Sequence, residues 1–169
     1  TIREVPRFLR VTGQLIGRND AVIAADAVGK VVEAPVERGS VVKAGDALVK
    51  LDERQAKLAL DEAEASLELA KTRLLLAKNE QERNAPLAKN RAIAEADFQK
   101  LVTDTAAREA ELTASLARRD MTQKTLTDSV IRAPFAGVVA ERMVEPGEYV
   151  KADSPVARVV DLATLRLVL

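Results

Sequence analysis

At 169 residues with 47% hydrophobic content, the chain has room for one ordinary domain or two very small ones, and enough apolar material to fold. Lys plus Arg and Asp plus Glu both number 26, and zero net charge supplies no basic field for a nucleic acid. The lack of any Cys or His removes thiol nucleophiles, imidazole bases and the commonest zinc and haem ligands, so most familiar catalytic constellations cannot be built. No apolar run approaches membrane-spanning length and no signal-like segment opens the chain, which reads as a soluble, trimmed piece.

The first region with clear patterning is 20–52, and it returns 108 residues later as 128–160. The two align without a gap and share thirteen of thirty-three positions: Asp20/Asp128, Val22/Val130, Ile23/Ile131, Ala25/Ala133, Gly29/Gly137, Val31/Val139, Glu33/Glu141, Val36/Val144, Glu37/Glu145, Gly39/Gly147, Val42/Val150, Lys43/Lys151 and Ala44/Ala152. Each copy specifies the same turn. "EPGE" at 145–148 sets Pro146 and Gly147 in the type II positions, and "ERGS" at 37–40 keeps Gly39. Gly29 and Gly137 are read as further structural turn glycines, while Gly45 and Asp153 tolerate left-handed geometry before the apolar runs "ALVKL" and "PVARVV". Each copy is therefore a series of short strands and turns. Neither has enough Val, Ile and Leu to bury a core alone, so the two must pack together as a small sandwich with internal pseudo-twofold symmetry.

Between the copies lies 53–127, which holds none of the seven glycines and only Pro86 of the six prolines. Such a segment is helical. "LDERQ" opens it with Asp52 as N-cap and Gln55 three residues on, a capping-box arrangement. A seam then runs through Ala56, Leu60, Ala63, Leu67, Ala70, Leu74 and Ala77 at spacings of four and three, the heptad signature of a coiled coil. Pro86 and "KNRA" at 89–92 mark the reversal, after which "EADFQKLV" starts a second helix ending near Asp128. The two arms form an antiparallel hairpin extending on the order of 50 Å at 1.5 Å per residue. On the second arm Phe98, Val102, Thr105, Leu112, Leu116 and Leu126 keep seam spacing, but Glu109, Arg119 and Gln123 fall on the same line. Two readings of those polar residues stand level: simple solvation, or lateral packing of a marginal two-helix coil on copies of itself or a partner.

The halves "GKVVEAPVERGSVVKAGDALVKLD" and "VIRAPFAGVVAERMVEPGEYVKADSPVARVVD" resemble the lipoyl or biotinyl carrier fold. In such carriers a tight hairpin bearing the modified lysine joins the halves; here the helical segment enters after Leu51-Asp52, and that lysine has no counterpart. A split lipoyl-like domain with an inserted helical hairpin resembles the periplasmic adaptor proteins, also called membrane fusion proteins, over essentially the whole chain. The resemblance implies an α+β fold: a lipoyl/biotinyl-like β-sandwich from 18–52 and 128–161, an antiparallel α-helical coiled-coil hairpin at 53–127, and 1–17 with 162–169 as strands of an incomplete β-barrel domain. "RFLRVTGQL" at 7–15 and "LATLRLVL" at 162–169 are similar to the strands entering and leaving that barrel.

It also implies a site. Family members that dock on an outer-membrane channel carry at the hairpin tip an Arg, a Leu four residues on, and a Ser seven beyond. Arg83 and Leu87 match, whereas Ala94 stands at the Ser position and leaves Asp97 without its capping partner. The implied function is that of a periplasmic, inner-membrane-associated subunit bridging an inner-membrane transporter to an outer-membrane channel. It would self-associate in a hexameric ring, with no enzymatic activity, cofactor or metal. A resistance-nodulation-division transporter is the first expectation from hairpin length, and an ATP-driven (ABC) exporter the alternative. A lipoate or biotin carrier would need Lys50 or Lys57, yet Lys50 aligns with Arg158 as a strand residue and Lys57 lies one turn into a helix. A plain coiled-coil spacer is the third reading. Asp61/Glu62 and Glu109/Glu111 are paired carboxylates of an exposed helix rather than acid/base groups. Met121 and Met143 alone do not make a metal site.

Overall fold

The computed structural model describes residues 14–162 and 165–168. The remainder of the two terminal segments read as barrel strands lies outside the described residues. Within them β1 (Gln14–Gly17) and β10 (Leu165–Val168) pair antiparallel as a two-stranded sheet.

The repeat becomes eight strands. The first copy gives β2 (Asp20–Ala24), β3 (Gly29–Glu33), β4 (Val41–Val42) and β5 (Ala47–Leu51). The second gives β6 (Val130–Arg132), β7 (Gly137–Arg142), β8 (Tyr149–Val150) and β9 (Pro155–Val160). They form two four-stranded antiparallel sheets, β2-β9-β7-β4 and β6-β5-β3-β8. Exchanging each strand for its counterpart 108 residues away turns one order into the other, so each sheet contains two strands of each copy and neither copy can fold without the other.

The interior follows the same exchange. One buried cluster holds Ala25, Ala27, Val31, Val49, Leu51, Ile131, Val144, Val150 and Val156; the other holds Val36, Val42, Leu48, Ala133, Val139, Ala157 and Val159, with Ile23 and Phe135 packed against it. Shifting the first list by 108 residues reproduces the second together with those two partners. The turns repeat as well. Gly39 and Gly147 have φ of 90° and 96°, and each turn is closed by Ser40 N–H to Glu37 O at 3.0 Å or Glu148 N–H to Glu145 O at 3.1 Å. Each glycine amide also donates to the opposite copy, Gly39 to Val139 O and Gly147 to Val31 O, both at 2.8 Å. Asp153 occupies the left-handed region at φ 64°, as Gly45 does at 91°.

Gly29 and Gly137 depart from the turn reading: both open strands, β3 and β7. At Gly137 the requirement is a close approach, since a Cβ there would come 2.5 Å from Val160 O across the sheet.

Residues 52–129 form a second compact unit of two helices, α1 (Arg54–Lys89) and α2 (Glu95–Asp128). Glu53, just before α1, is already helical at φ −88°, ψ −3°, and makes no side-chain cap. The cap comes from Asp52, whose Oδ1 accepts the Arg54 amide at 3.1 Å while its carboxylate also holds the Arg54 guanidinium. The seam is as spaced: Leu60, Ala63, Leu67, Ala70, Leu74 and Ala77 are the buried residues of α1, and Ala56 is half-buried. The helices run antiparallel, with Thr105 Oγ1 donating to Ala77 O at 3.4 Å and ion pairs Arg73–Glu111 at 2.7 Å and Lys78–Glu109 at 2.9 Å.

Two expectations for the hairpin need correction. Pro86 does not break the chain; it stays inside α1, where its carbonyl accepts the Asn90 amide at 3.0 Å, and the reversal occupies 90–94. A proline three residues from a helix end removes one hydrogen bond and leaves less than one further turn of that helix to misdirect. On α2 the packed line also differs. Glu109 and Gln123 are exposed, and Leu101, Arg108, Ser115 and Thr122 join the half-buried positions, leaving Thr105 as the buried residue of α2. Arg119 stays on the line, and its Nε is buried without a hydrogen-bond partner, only at ion-pair distance (3.1 Å) from Asp120 Oδ1.

Candidate functional site at the hairpin tip

The end of α1 is shaped by its stop signal. The Arg91 amide donates to Ala88 O at 3.0 Å and the Ala92 amide to Leu87 O at 2.8 Å, the paired bonds of a Schellman motif. Its left-handed position, usually glycine, is taken by Arg91 at φ 53°. No sequence signal announced this, since the residue type is wrong for the conformation and only the doubled bond pattern holds it. After the reversal Ala94 adopts φ −68°, ψ 140° ahead of α2 and makes no side-chain cap. The Asp97 and Phe98 amides fall back on the Ala94 carbonyl at 3.0 and 3.2 Å. Asp97 is instead paired with Lys100 at 3.1 Å, and with Glu95 it places acidic charge at the positive end of the α2 dipole.

Arg83 and Leu87 stand one turn apart on the last two turns of α1, both exposed, and Leu87 retains 42% of its surface. Ala94 is exposed on the far side of the reversal. The tip thus offers an exposed cation, an exposed apolar side chain and a helix start without a side-chain cap. Further down, Glu111 is held below its ordinary carboxylate range by hydrogen bonds from Arg108 and then Arg73, which ties the two helices electrostatically. Among the described residues there is no cluster of three or more His, Cys, Asp or Glu able to hold a metal ion. Lys50 lies in β5 with its Nζ 2.8 Å from Glu33, and Lys57 lies in α1.

Residues 19–161 match the CzcB-like barrel-sandwich hybrid domain. The chain belongs to that family. Multidrug resistance protein MdtA of Xenorhabdus bovienii is 30% identical over 89% of the chain and 37% of its own length. Nodulation protein NolF of Rhizobium meliloti is 28% identical over 98% of the chain and 45% of its own. The chain therefore spans less than half of these relatives. Among solved structures, the membrane fusion protein Spr0693 of Streptococcus pneumoniae superposes with a TM-score of 0.70 at 18% identity, over 92% of the chain and 64% of its own. ZneB of Cupriavidus metallidurans superposes at 0.63 and 20%, over 90% and 66%. These establish the shared fold, and the periplasmic-adaptor resemblance seen in the split repeat is correct as to family. The expectation that Arg83, Leu87 and Ala94 take part in docking rests on the family resemblance, and the structure adds that all three are exposed.

Proposed function

We propose that this chain is the central part of a periplasmic adaptor subunit of a tripartite efflux or secretion system. The observation that carries the reading is a lipoyl-like sandwich split at its hairpin position by two helices of 36 and 34 residues whose reversal exposes Arg83 and Leu87. The membership among CzcB-like domains and the likeness to a protein named for multidrug resistance support it. In this reading the tip meets an outer-membrane channel and the subunit engages an inner-membrane transporter of resistance-nodulation-division type, with an ATP-driven (ABC) exporter as the alternative. Copies associate in a ring, taken as a hexamer, in the periplasm of a Gram-negative envelope, at the inner membrane. The subunit does no chemistry; its role is geometric, and many modest contacts acting together give the assembly its strength.

The cysteine-free sequence offers a direct test. With Leu87→Cys in the full-length protein, crosslinking in cells followed by mass spectrometry is expected to capture an outer-membrane channel. Capture of its own copies alone from cells with an intact pump complex overturns the tip assignment. An intact mass showing covalent lipoate or biotin would restore the carrier reading.

A further inference from the structure

The two arms of the hairpin are tied unevenly along their length. In the middle, Thr105 Oγ1 donates to Ala77 O, and the ion pairs Arg73–Glu111 and Lys78–Glu109 cross between the helices. Toward the start of α1 and the end of α2 such ties stop: among the described residues no hydrogen bond or ion pair joins 57–71 to 112–123. Packing thins there as well. Leu60, Ala63, Leu67 and Ala70 are buried on α1, whereas α2 buries no residue of 112–123 and offers Leu112, Ser115, Leu116, Arg119 and Thr122 half-buried.

A groove of about 500 Å³ opens between the arms in this stretch, walled by Asp61, Glu64, Leu67 and Glu68 of α1 and by Leu116 and Arg119 of α2. Arg119 is poorly served in it. Its Nε is buried without a hydrogen-bond partner, and its ion pair is with Asp120, the next residue along the chain. Sequence neighbours point about 100° apart on a helix and do not face each other, so the guanidinium reaches that carboxylate only by bending along its own arm. On the opposite wall Glu68 is held by Lys71 at 2.6 Å, but Asp61 and Glu64 are exposed and make no ion pair among the described residues. The contacts Ala77–Thr105 and Arg73–Glu111 fix the register of the arms, and counting along both helices from them sets Arg119 level with 63–65. Glu64 is therefore the unpaired carboxylate straight across the groove.

We propose that Arg119 is an electrostatic latch, held by Asp120 while the groove is open and crossing to Glu64 when the arms close on it. The hairpin then has two spacings between its arms in this stretch, while the middle, clamped by Arg73–Glu111 and Lys78–Glu109, keeps one. One surface ion pair replaces another, which holds the two states close in free energy. Closing offers the guanidinium fork a carboxylate it can meet face on and gives the unmet Nε donor a partner, at the expense of returning Asp120 to water. Every group involved belongs to one chain, so the latch goes beyond the adaptor reading and does not depend on it.

Distances between spin labels test it in the full-length protein, with labelled copies diluted into unlabelled ones so that each distance is read within a chain. Labels at Glu62→Cys and Met121→Cys, both exposed and level with the groove, are expected to give two distances. Labels at Leu75→Cys and Ala110→Cys, both exposed in the clamped middle, are expected to give one. Glu64→Gln should leave only the longer distance of the first pair, and Asp120→Asn should at least double the share of the shorter, with helix content by circular dichroism unchanged in both. Glu64→Arg combined with Arg119→Glu, which reverses the cross-arm pair and sets like charges beside Asp120, should leave only the shorter distance. A single distance from the first label pair, two distances from both label pairs, or shifts in the same direction from Glu64→Gln and Asp120→Asn would each overturn the proposal.

Discussion

The sandwich and the hairpin solve the burial problem in opposite ways. In the sandwich two short copies interleave, so that every strand is paired with strands distant in sequence and both clusters are closed on all sides. In the hairpin one line of alternating Leu and Ala is buried on α1 and only Thr105 on α2, while four other leucines of α1 stay at least half exposed. The difference lies in what is buried, not in what is exposed: the sandwich closes two clusters of nine and seven residues while Val22, Val28, Val32, Val41 and Tyr149 stay exposed, whereas the hairpin buries one line and leaves Leu58, Leu69, Leu75 and Leu76 exposed. A two-helix coil that buries only one line of small and large apolar residues is marginal alone.

Mutations that probe each unit sharpen the contrast. Leu48→Ala should destabilise the sandwich most, by about 3 kcal/mol, because the side chain is fully buried among strands that cannot close around the cavity. Chemical denaturation followed by a sheet signal reads this, and a change under 1 kcal/mol would show that the clusters are loosely packed. Leu67→Ala in the seam should cost the hairpin about 2 kcal/mol, less than in the sandwich because an open edge can relax, and should lower the helical transition without moving the sheet transition. Coincident shifts of both would mean that the units unfold as one.

Smaller gains are expected where the hairpin is imperfect. Arg119→Leu removes an unmet buried donor and should raise hairpin stability by about 1 kcal/mol, seen as a higher helical Tm; a drop would mean that Arg119 is satisfied by its surroundings. Ala94→Ser supplies the missing cap next to Asp97 and should add about 1 kcal/mol, with slower amide exchange in the first turn of α2. The smallest effect belongs to Asp20, which hydrogen bonding from Arg158 holds below its ordinary carboxylate range. A lowered folded pKa stabilises above the unfolded value and is lost as pH falls through the folded one. The difference in stability between the parent and Arg158→Gln should therefore be full near neutrality and shrink below about pH 4. A difference that persists unchanged at pH 2 would point to packing by Arg158 instead.

The two regions were also legible to different degrees. Leu60, Leu67 and Leu74 stand where their spacing put them, because heptad contacts are local and a helix repeats them mechanically. Gly39 and Gly147 were readable because a type II turn demands positive φ and the repeat states the demand twice. Gly29 and Gly137 open strands and not turns; at Gly137 the close approach of Val160 across the sheet leaves no mark in the flanking residues, and Arg91 escaped notice because it sits where glycine is expected.

The amino-acid order by itself determined the repeat, the helical insertion between its copies and the seam on α1, since each rests on residues a few positions apart or on direct self-similarity. Only the tertiary structure decided how the copies share strands between two sheets and which line on α2 is packed. Those features depend on pairings across scores of residues, where local spacing fixes the side chains that can meet and the fold selects the ones that do.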